Sequence, residues 1–368
     1  MSKWEWDVYH LIAGSAVSTW KIYQRRIEVT DMLRKLERKK PQNKTPQEQR
    51  AEAELREKME KELSFKGEPK CLLAQLNFLR QMTGTPLALL NRRETLDNLV
   101  QCHPRYYPLQ TPATQAPGKK PDGCYCEGIR FFGGIQCTDC TLKQFPPYVG
   151  RATHKSKLRQ VADLTEYASK ASRAADIAVE TFGKKKKCVI FTQYLGVADV
   201  IQACIEKKCG IQRPEIQGPV LRLDGIIKVD DRDQVISDFL SCDKPCALVC
   251  LPQVAGEGLN LIPKSPRDLP IDTVILCDPW WNDARDRQSM ARCCRIGQKS
   301  DYVHVHRLFS RNTIDEAMEE VQKAKRDATK HIVTDLDHYG FHTLIKSGYV
   351  KKLMEEIEKR MLIEEACF

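Results

Sequence analysis

Five short strand-like stretches, at residues 188–192, 220–223, 247–251, 273–277 and 303–308, constrain this chain more than any other feature. Helical spacing fills the gaps between them, with Val197, Ile201 and Ile205 after the first run and Val235, Ile236 and Phe239 after the second. Runs of four to six apolar residues suit strands buried on both faces, and their alternation with helices implies a parallel sheet flanked by helices. In such sheets ligands collect beyond the carboxyl ends of the strands. Polar residues follow the runs there: Thr192-Gln193, Asp224-Gly225, Gly256-Glu257-Gly258 and Trp281-Asn282.

The flanking segments read differently. Residues 4–39 carry Trp20, Tyr23, Ile27, Met32, Leu33 and Leu36 at helical spacing. Thr45-Pro46-Gln47-Glu48 is a capping box with proline at the first helical position, so a second helix is expected from there. Its thin stripe, Ala51, Leu55, Met59 and Leu63, fits a bracing helix laced by pairs such as Glu52/Arg56. A third helix is expected over 70–83. Between 101 and 150 seven prolines and six glycines interrupt any period, which marks an irregular insertion. Four cysteines inside it, Cys124, Cys126, Cys137 and Cys140, are candidate zinc ligands, although the Cys-x-Cys half departs from the usual knuckle. The alternative is four reduced thiols in a chain with sixteen cysteines. A closing amphipathic helix carries Val350, Leu353, Met354, Ile357 and Met361. The expected organisation is a helical protrusion over 1–100, the insertion over 101–150, the α/β lobe over 151–332 and a helical extension over 333–368.

The net charge of +10 favours an anionic partner such as nucleic acid. No apolar run approaches the ~20 residues of a membrane span. Lys184-Lys185-Lys186-Lys187 reads as a solvated loop before a strand, with a nuclear address or a DNA contact as the alternatives. His304 and His306 share one strand face, for which a structural role is expected over a metal site. Arg292 and Arg295 stand three apart, which on a helix puts both guanidiniums on one face, suited to a polyphosphate.

Together these blocks resemble the second RecA-like lobe of the Swi/Snf-type ATPases of helicase superfamily two. The resemblance rests on Lys187-Cys-Val-Ile-Phe-Thr-Gln-Tyr194, on Arg222-Leu-Asp-Gly225, on Gly256-Glu-Gly-Leu-Asn-Leu261, and on Gln288, Arg292 and Arg295-Ile-Gly-Gln298, in that order. The double tryptophan before Asn282 is most similar to the branch associated with DNA-damage tolerance and transcription termination. The resemblance implies that ATP with magnesium sits between two lobes, with Arg292 and Arg295 as arginine fingers and Gly256, Glu257, Gly258 and Gln288 near the nucleotide. It implies DNA-backbone contacts from Thr192, Gln193, Arg222, Asn260 and Trp281, a double-stranded DNA or chromatin partner, and a nuclear location.

Several positions depart from the family pattern. Leu251 replaces a hydroxyl residue, Ala255 a glycine, Asp283 a proline and Cys294 a histidine. The chain contains neither Gly-x4-Gly-Lys-Ser/Thr nor an Asp-Glu-Ala-His box, so a first lobe is expected to act in cis from a longer product or in trans. Alone the chain is expected to hydrolyse no ATP. The competing reading is a non-catalytic nucleic-acid-binding or interaction module descended from such an ATPase. A third, the second lobe of an RNA-directed helicase, fits Trp-Trp-Asn and Arg-Ile-Gly-Gln less well.

Overall fold

The computed structural model describes residues 1–38, 43–62, 69–88, 130–131, 134–135, 155, 158–159, 164–165, 167–212, 218–254, 259–280, 283–329, 351–355 and 357–359. These divide between two compact units. One lies within Met1–Tyr9, Arg80–Thr114 and Leu142–His338, the other within His10–Leu79, Gln115–Thr141 and Tyr339–Phe368.

The first unit is a RecA-like α/β lobe. Strands β3 (Lys187–Phe191), β4 (Val220–Leu223), β5 (Ala247–Cys250), β6 (Ile271–Leu276) and β7 (His304–Arg307) form one sheet in the order β4-β5-β3-β6-β7. Every neighbouring pair is parallel. The central strand shows why a continuous apolar run is needed. Cys188 and Ile190 point into one core, with Ala174, Ala178, Ile201 and Ile205, while Val189 and Phe191 point into the other, with Phe239, Leu248 and Leu261. Helices α4 (Ser169–Gly183), α5 (Leu195–Gln212), α6 (Val229–Ser241), α7 (Asp283–Met290) and α8 (Ile314–Thr329) accompany the strands. The strands match the expected runs within two residues.

The lysine run is neither a uniform solvated loop nor an exposed address. Lys184 and Lys185 are exposed, but Lys187 is fully buried at the start of β3. Its Nζ donates to the carbonyls of Phe239 and Leu240, both at 2.8 Å, and lies 5.6 Å from the Phe239 ring centroid. A cation there satisfies carbonyls that the last turn of α6 leaves without intrahelical partners. Burial pulls its pKa down.

The second unit contains most of α1 (Lys3–Glu37) and α2 (Pro46–Glu62), much of α3 (Pro69–Gly84), the β1 (Arg130–Phe131) and β2 (Gly134–Ile135) hairpin and helical residues near 351–359. The capping box at Thr45 forms: the Glu48 N–H donates to Thr45 Oγ1 at 3.3 Å, and the Thr45 N–H to Glu48 Oε2 at 3.0 Å. Leu55 and Met59 pack on Val29 and Leu33, and Arg56 bridges Glu52 and Glu37, so α2 braces α1. Leu353, Met354 and Ile357 are buried, as the closing amphipathic stripe requires. Thr45→Ala should lower the stability of this unit by about 1 kcal/mol, as N-cap removal typically does. Urea unfolding followed through α1 and α2 checks this, and an unchanged midpoint would show that the box contributes nothing.

Candidate functional site

The carboxyl end of the sheet is closed by a buried polar network. Asp278 follows β6, and its Oδ2 accepts from the Thr192 hydroxyl at 2.5 Å and from the Gln193 N–H at 3.1 Å. Lys170 of α4 donates to Asp315 Oδ2 at 2.5 Å and lies 3.9 Å from Asp278 Oδ1. Asp315 also accepts from the Thr83 hydroxyl at 2.8 Å and from the Ser310 N–H at 2.9 Å. Burial alone would pull Lys170 down, but the carboxylates of Asp315 and Asp278 outweigh it and hold its pKa above the ordinary value. Burial raises the pKa of Asp278, against the opposing pull of Lys170 and Thr192.

Beside this network the guanidiniums of Arg80 and Arg285 lie 4.9 and 4.8 Å from the Trp280 ring centroid, and Arg80 donates to the Pro279 carbonyl at 2.7 Å. Asp283, the residue standing where the family has proline, opens α7 and draws in Arg287, Arg307 and Arg326 at 3.3, 3.8 and 3.6 Å. Asp286 pairs with Arg307 at 3.3 Å and accepts from Gln322, while burial raises its pKa. With few apolar side chains of its own, α7 is anchored through these ties.

Three of the expected DNA contacts have partners within the protein. Thr192 is buried and committed to Asp278. Gln193 is 9% exposed and its Oε1 accepts from Gln253. Arg222 is held at 2.8 Å by both Asp199 and Asp224. These groups shape the strand tips from inside, because a buried guanidinium or hydroxyl needs partners in the protein. Asn260 is exposed, while Trp281 lies outside the described residues, as do Gly256, Glu257 and Gly258 and the candidate zinc ligands Cys124, Cys126, Cys137 and Cys140.

Arg292 and Arg295 do not share a helical face. Helix α7 ends at Met290, and the chain continues in tight turns. The N–H groups of Arg292 and Cys293 reach back three residues to Ser289 and Met290, and the Arg292 carbonyl accepts from the Leu261 N–H at 3.1 Å. That carbonyl is therefore taken by another segment instead of a fourth-residue helical donor. Cys293 is buried, and Gly297 adopts φ +96°, a conformation that favours glycine. Arg295 is exposed, its Nε donating to the Ala291 carbonyl at 3.0 Å. Gln288 is exposed on α7.

Arg295 lines an open cleft of about 920 Å³ with Asn260, Ile262, Cys294, Gln298 and Val303. Residues 300–303 lead directly into β7, so the cleft opens where that strand begins and not at the strand tips. The topology explains this. Because β6 and β7 are parallel, the connection between them must carry the chain back to the starting end of the sheet. Of the polar residues expected beyond the strands, Thr192 and Gln193 directly follow β3 and Asp224 follows β4, while Trp281 and Asn282 lie outside the described residues.

Sequence reasoning missed Lys170, Asp315, Arg80 and Thr83, which carry much of the buried network. It also missed Glu5, whose carboxylate accepts from the Ser169 N–H at 3.0 Å and caps α4 from the start of α1. Lys170 lies within an apolar helical face, and a charge so placed was the available signal.

Residues 169–297 match the helicase conserved C-terminal domain. Among curated relatives, an uncharacterized ATP-dependent helicase of Mycoplasma genitalium is 32% identical over 50% of this chain and 17% of its own length. The DNA repair protein RAD5B of Arabidopsis thaliana is 29% identical over 43% of this chain and 11% of its own. The chain thus spans about a sixth or less of these relatives. Among solved structures, the C-terminal part of the Fun30 ATPase domain aligns with 93% of this chain and 94% of that chain, at 18% identity and a TM-score of 0.48.

Proposed function

We propose that this chain, whose residues 169–297 match the helicase conserved C-terminal domain, supplies the second lobe of an ATP-dependent DNA translocase of the Swi/Snf type. The observation that carries the reading is the exposed Arg295 guanidinium, in a cleft shared with Asn260 and formed by the last two matched blocks. About 920 Å³ is within the range of small-molecule sites. ATP with magnesium, when bound, would supply the phosphoryl group whose transfer drives movement. Arg295, with Arg292 three residues before it, would meet negative charge on that group with fixed donors, while Asn260 and Gln298 would orient what surrounds it.

DNA would be met at the strand tips. The support is electrostatic: Arg287 is exposed and Arg285 is half-buried against Trp280 at that end, while Asp278 fixes the Thr192–Gln193 turn behind them. Contacts of this kind are sequence-tolerant and weaken with salt. A chromatin substrate and a nuclear location go with this reading; relatives come from bacteria as well as plants and fungi, so the likeness to them assigns no compartment. Among the described residues, no helix is long and apolar enough to cross a membrane.

The second reading, a non-catalytic nucleic-acid module, draws support from the position of the arginine cleft away from the strand tips. Leu251, buried where the family has a hydroxyl, points the same way. One experiment separates the two. The chain is mixed with a first lobe from a related ATPase, and DNA-stimulated phosphate release is followed. The translocase reading expects no turnover from the chain alone and turnover from the mixture. DNA binding without turnover in every such mixture would favour the module.

A further inference from the structure

Most of the arginines gathered beyond β6 are already committed within the protein. Arg307 lies 3.3 Å from Asp286, while Arg287 and Arg326 lie 3.3 and 3.6 Å from Asp283. Arg80, only 2% exposed, donates to the Pro279 carbonyl at 2.7 Å. Arg285 differs. It stands half-buried in the first turn of α7, with its guanidinium carbon 4.8 Å from the centroid of the Trp280 ring. Among the described residues that guanidinium meets no carboxylate and no carbonyl, so its five N–H donors are unclaimed. An aromatic ring restricts a guanidinium without occupying its donor fork, which stays open to another group.

Trp280 is itself fixed. Its N–H donates to Asp286 Oδ2 at 3.5 Å, its carbonyl accepts from Gln322 at 2.5 Å, and Arg80 lies 4.9 Å from the same ring centroid. One indole thus meets two cations. Around it Arg80, Arg285, Arg287, Arg307 and Arg326 face Asp283 and Asp286, five charges against two. Counting Lys170 with Asp278 and Asp315 behind them leaves six cations and four carboxylates, so an arriving anion meets net positive charge. We infer that Arg285 binds a phosphate of the DNA backbone, with Trp280 as the residue that positions it. Two parallel N–H donors of the fork meet two oxygens of one phosphate. The ring holds in advance a side chain that would otherwise lose its freedom on binding. Such a contact fixes register on the duplex and reads no base. The inference rests on DNA being met at the strand tips, which the translocase and the nucleic-acid module have in common.

The test titrates the full chain and its variants against labelled DNA duplexes of two unrelated sequences, at several salt concentrations. Arg285→Gln should weaken binding to either duplex about tenfold, as loss of one charged hydrogen-bonded contact does. It should also make the slope of log affinity against log salt shallower by about one. Trp280→Leu should weaken binding too, yet add little to the loss in Arg285→Gln, because both act through one contact. Trp280→Phe keeps a ring and should restore most of the affinity. Arg173→Gln removes an exposed cation of α4 that pairs with Glu180, and should leave affinity within about twofold. An unchanged affinity or salt slope in Arg285→Gln, or an equal loss in Arg173→Gln, would overturn the inference. So would full additivity of the Trp280→Leu and Arg285→Gln losses, or no duplex binding by the unaltered chain. Turnover of the first-lobe mixture is read separately. Its absence with the Arg285 effect intact would sink the translocase reading alone, and its presence without that effect would sink this inference alone.

Discussion

Asp315→Ala should destabilise the α/β lobe by about 3–5 kcal/mol, the cost of leaving one member of a buried ion pair uncompensated. Lys170 and Asp315 have side chains 5% and 2% exposed, and their contact is 2.5 Å. Without Asp315 the ammonium retains Asp278 at 3.9 Å, which is a charge neighbour without a hydrogen bond. The same substitution strips acceptors from the Thr83 hydroxyl and the Ser310 N–H. A neutral lysine surrogate should restore part of the loss, since Lys170→Met with Asp315→Ala removes the stranded charge. Urea unfolding of the two variants beside the unaltered chain checks this. A loss within about 0.5 kcal/mol, as at an ordinary surface position, would show that the network is solvated and not buried.

This network also marks where the sequence was legible and where it was not. The three central strands could be read because each rests on a short apolar stretch buried on both faces, whereas β4, with Arg222, and β7, with His304, His306 and Arg307, could be read from their place in the strand-helix alternation. Thr45 and Glu48 could be read because a capping box is local, with both partners within one turn. Lys170 and Asp315 stand 145 positions apart, with Asp278 between them in sequence, and no local pattern encodes their meeting. Arg222 illustrates the same limit from the other side. Its motif pointed outward to DNA, but Asp199 of the preceding helix captures it, and that contact depends on how α5 packs beside β4. Lys187 belonged by sequence to a basic run, yet it is the first residue of the central strand, and the helix end above it determines its role. The turn after Met290 was misread for a further reason. The i,i+3 spacing of Arg292 and Arg295 is compatible with a helix, but the carbonyl that Leu261 takes from Arg292 is a tertiary contact that stops it.

The second large effect concerns Arg295. Arginine fingers are worth about 10³–10⁵ in turnover, because a guanidinium placed in a water-poor cleft meets charge that develops on the transferred phosphoryl oxygens. Arg295→Ala should therefore lower DNA-stimulated hydrolysis in the mixture with a first lobe by about 10³ or more, and Arg295→Lys should recover little, since a single ammonium lacks the planar fork. Neither substitution should alter folding greatly, because Arg295 is exposed and its described side-chain bond is the one to the Ala291 carbonyl. Its loss should be a loss of chemistry, with DNA affinity retained.

Turnover of the Arg295→Ala mixture, measured beside its affinity for a DNA duplex, tests the account most directly. The account predicts that hydrolysis collapses while duplex binding stays within about twofold of the unaltered mixture, a difference below ~0.5 kcal/mol. Undiminished hydrolysis would contradict it, because the guanidinium in the cleft at the start of β7 would then have no part in meeting the nucleotide.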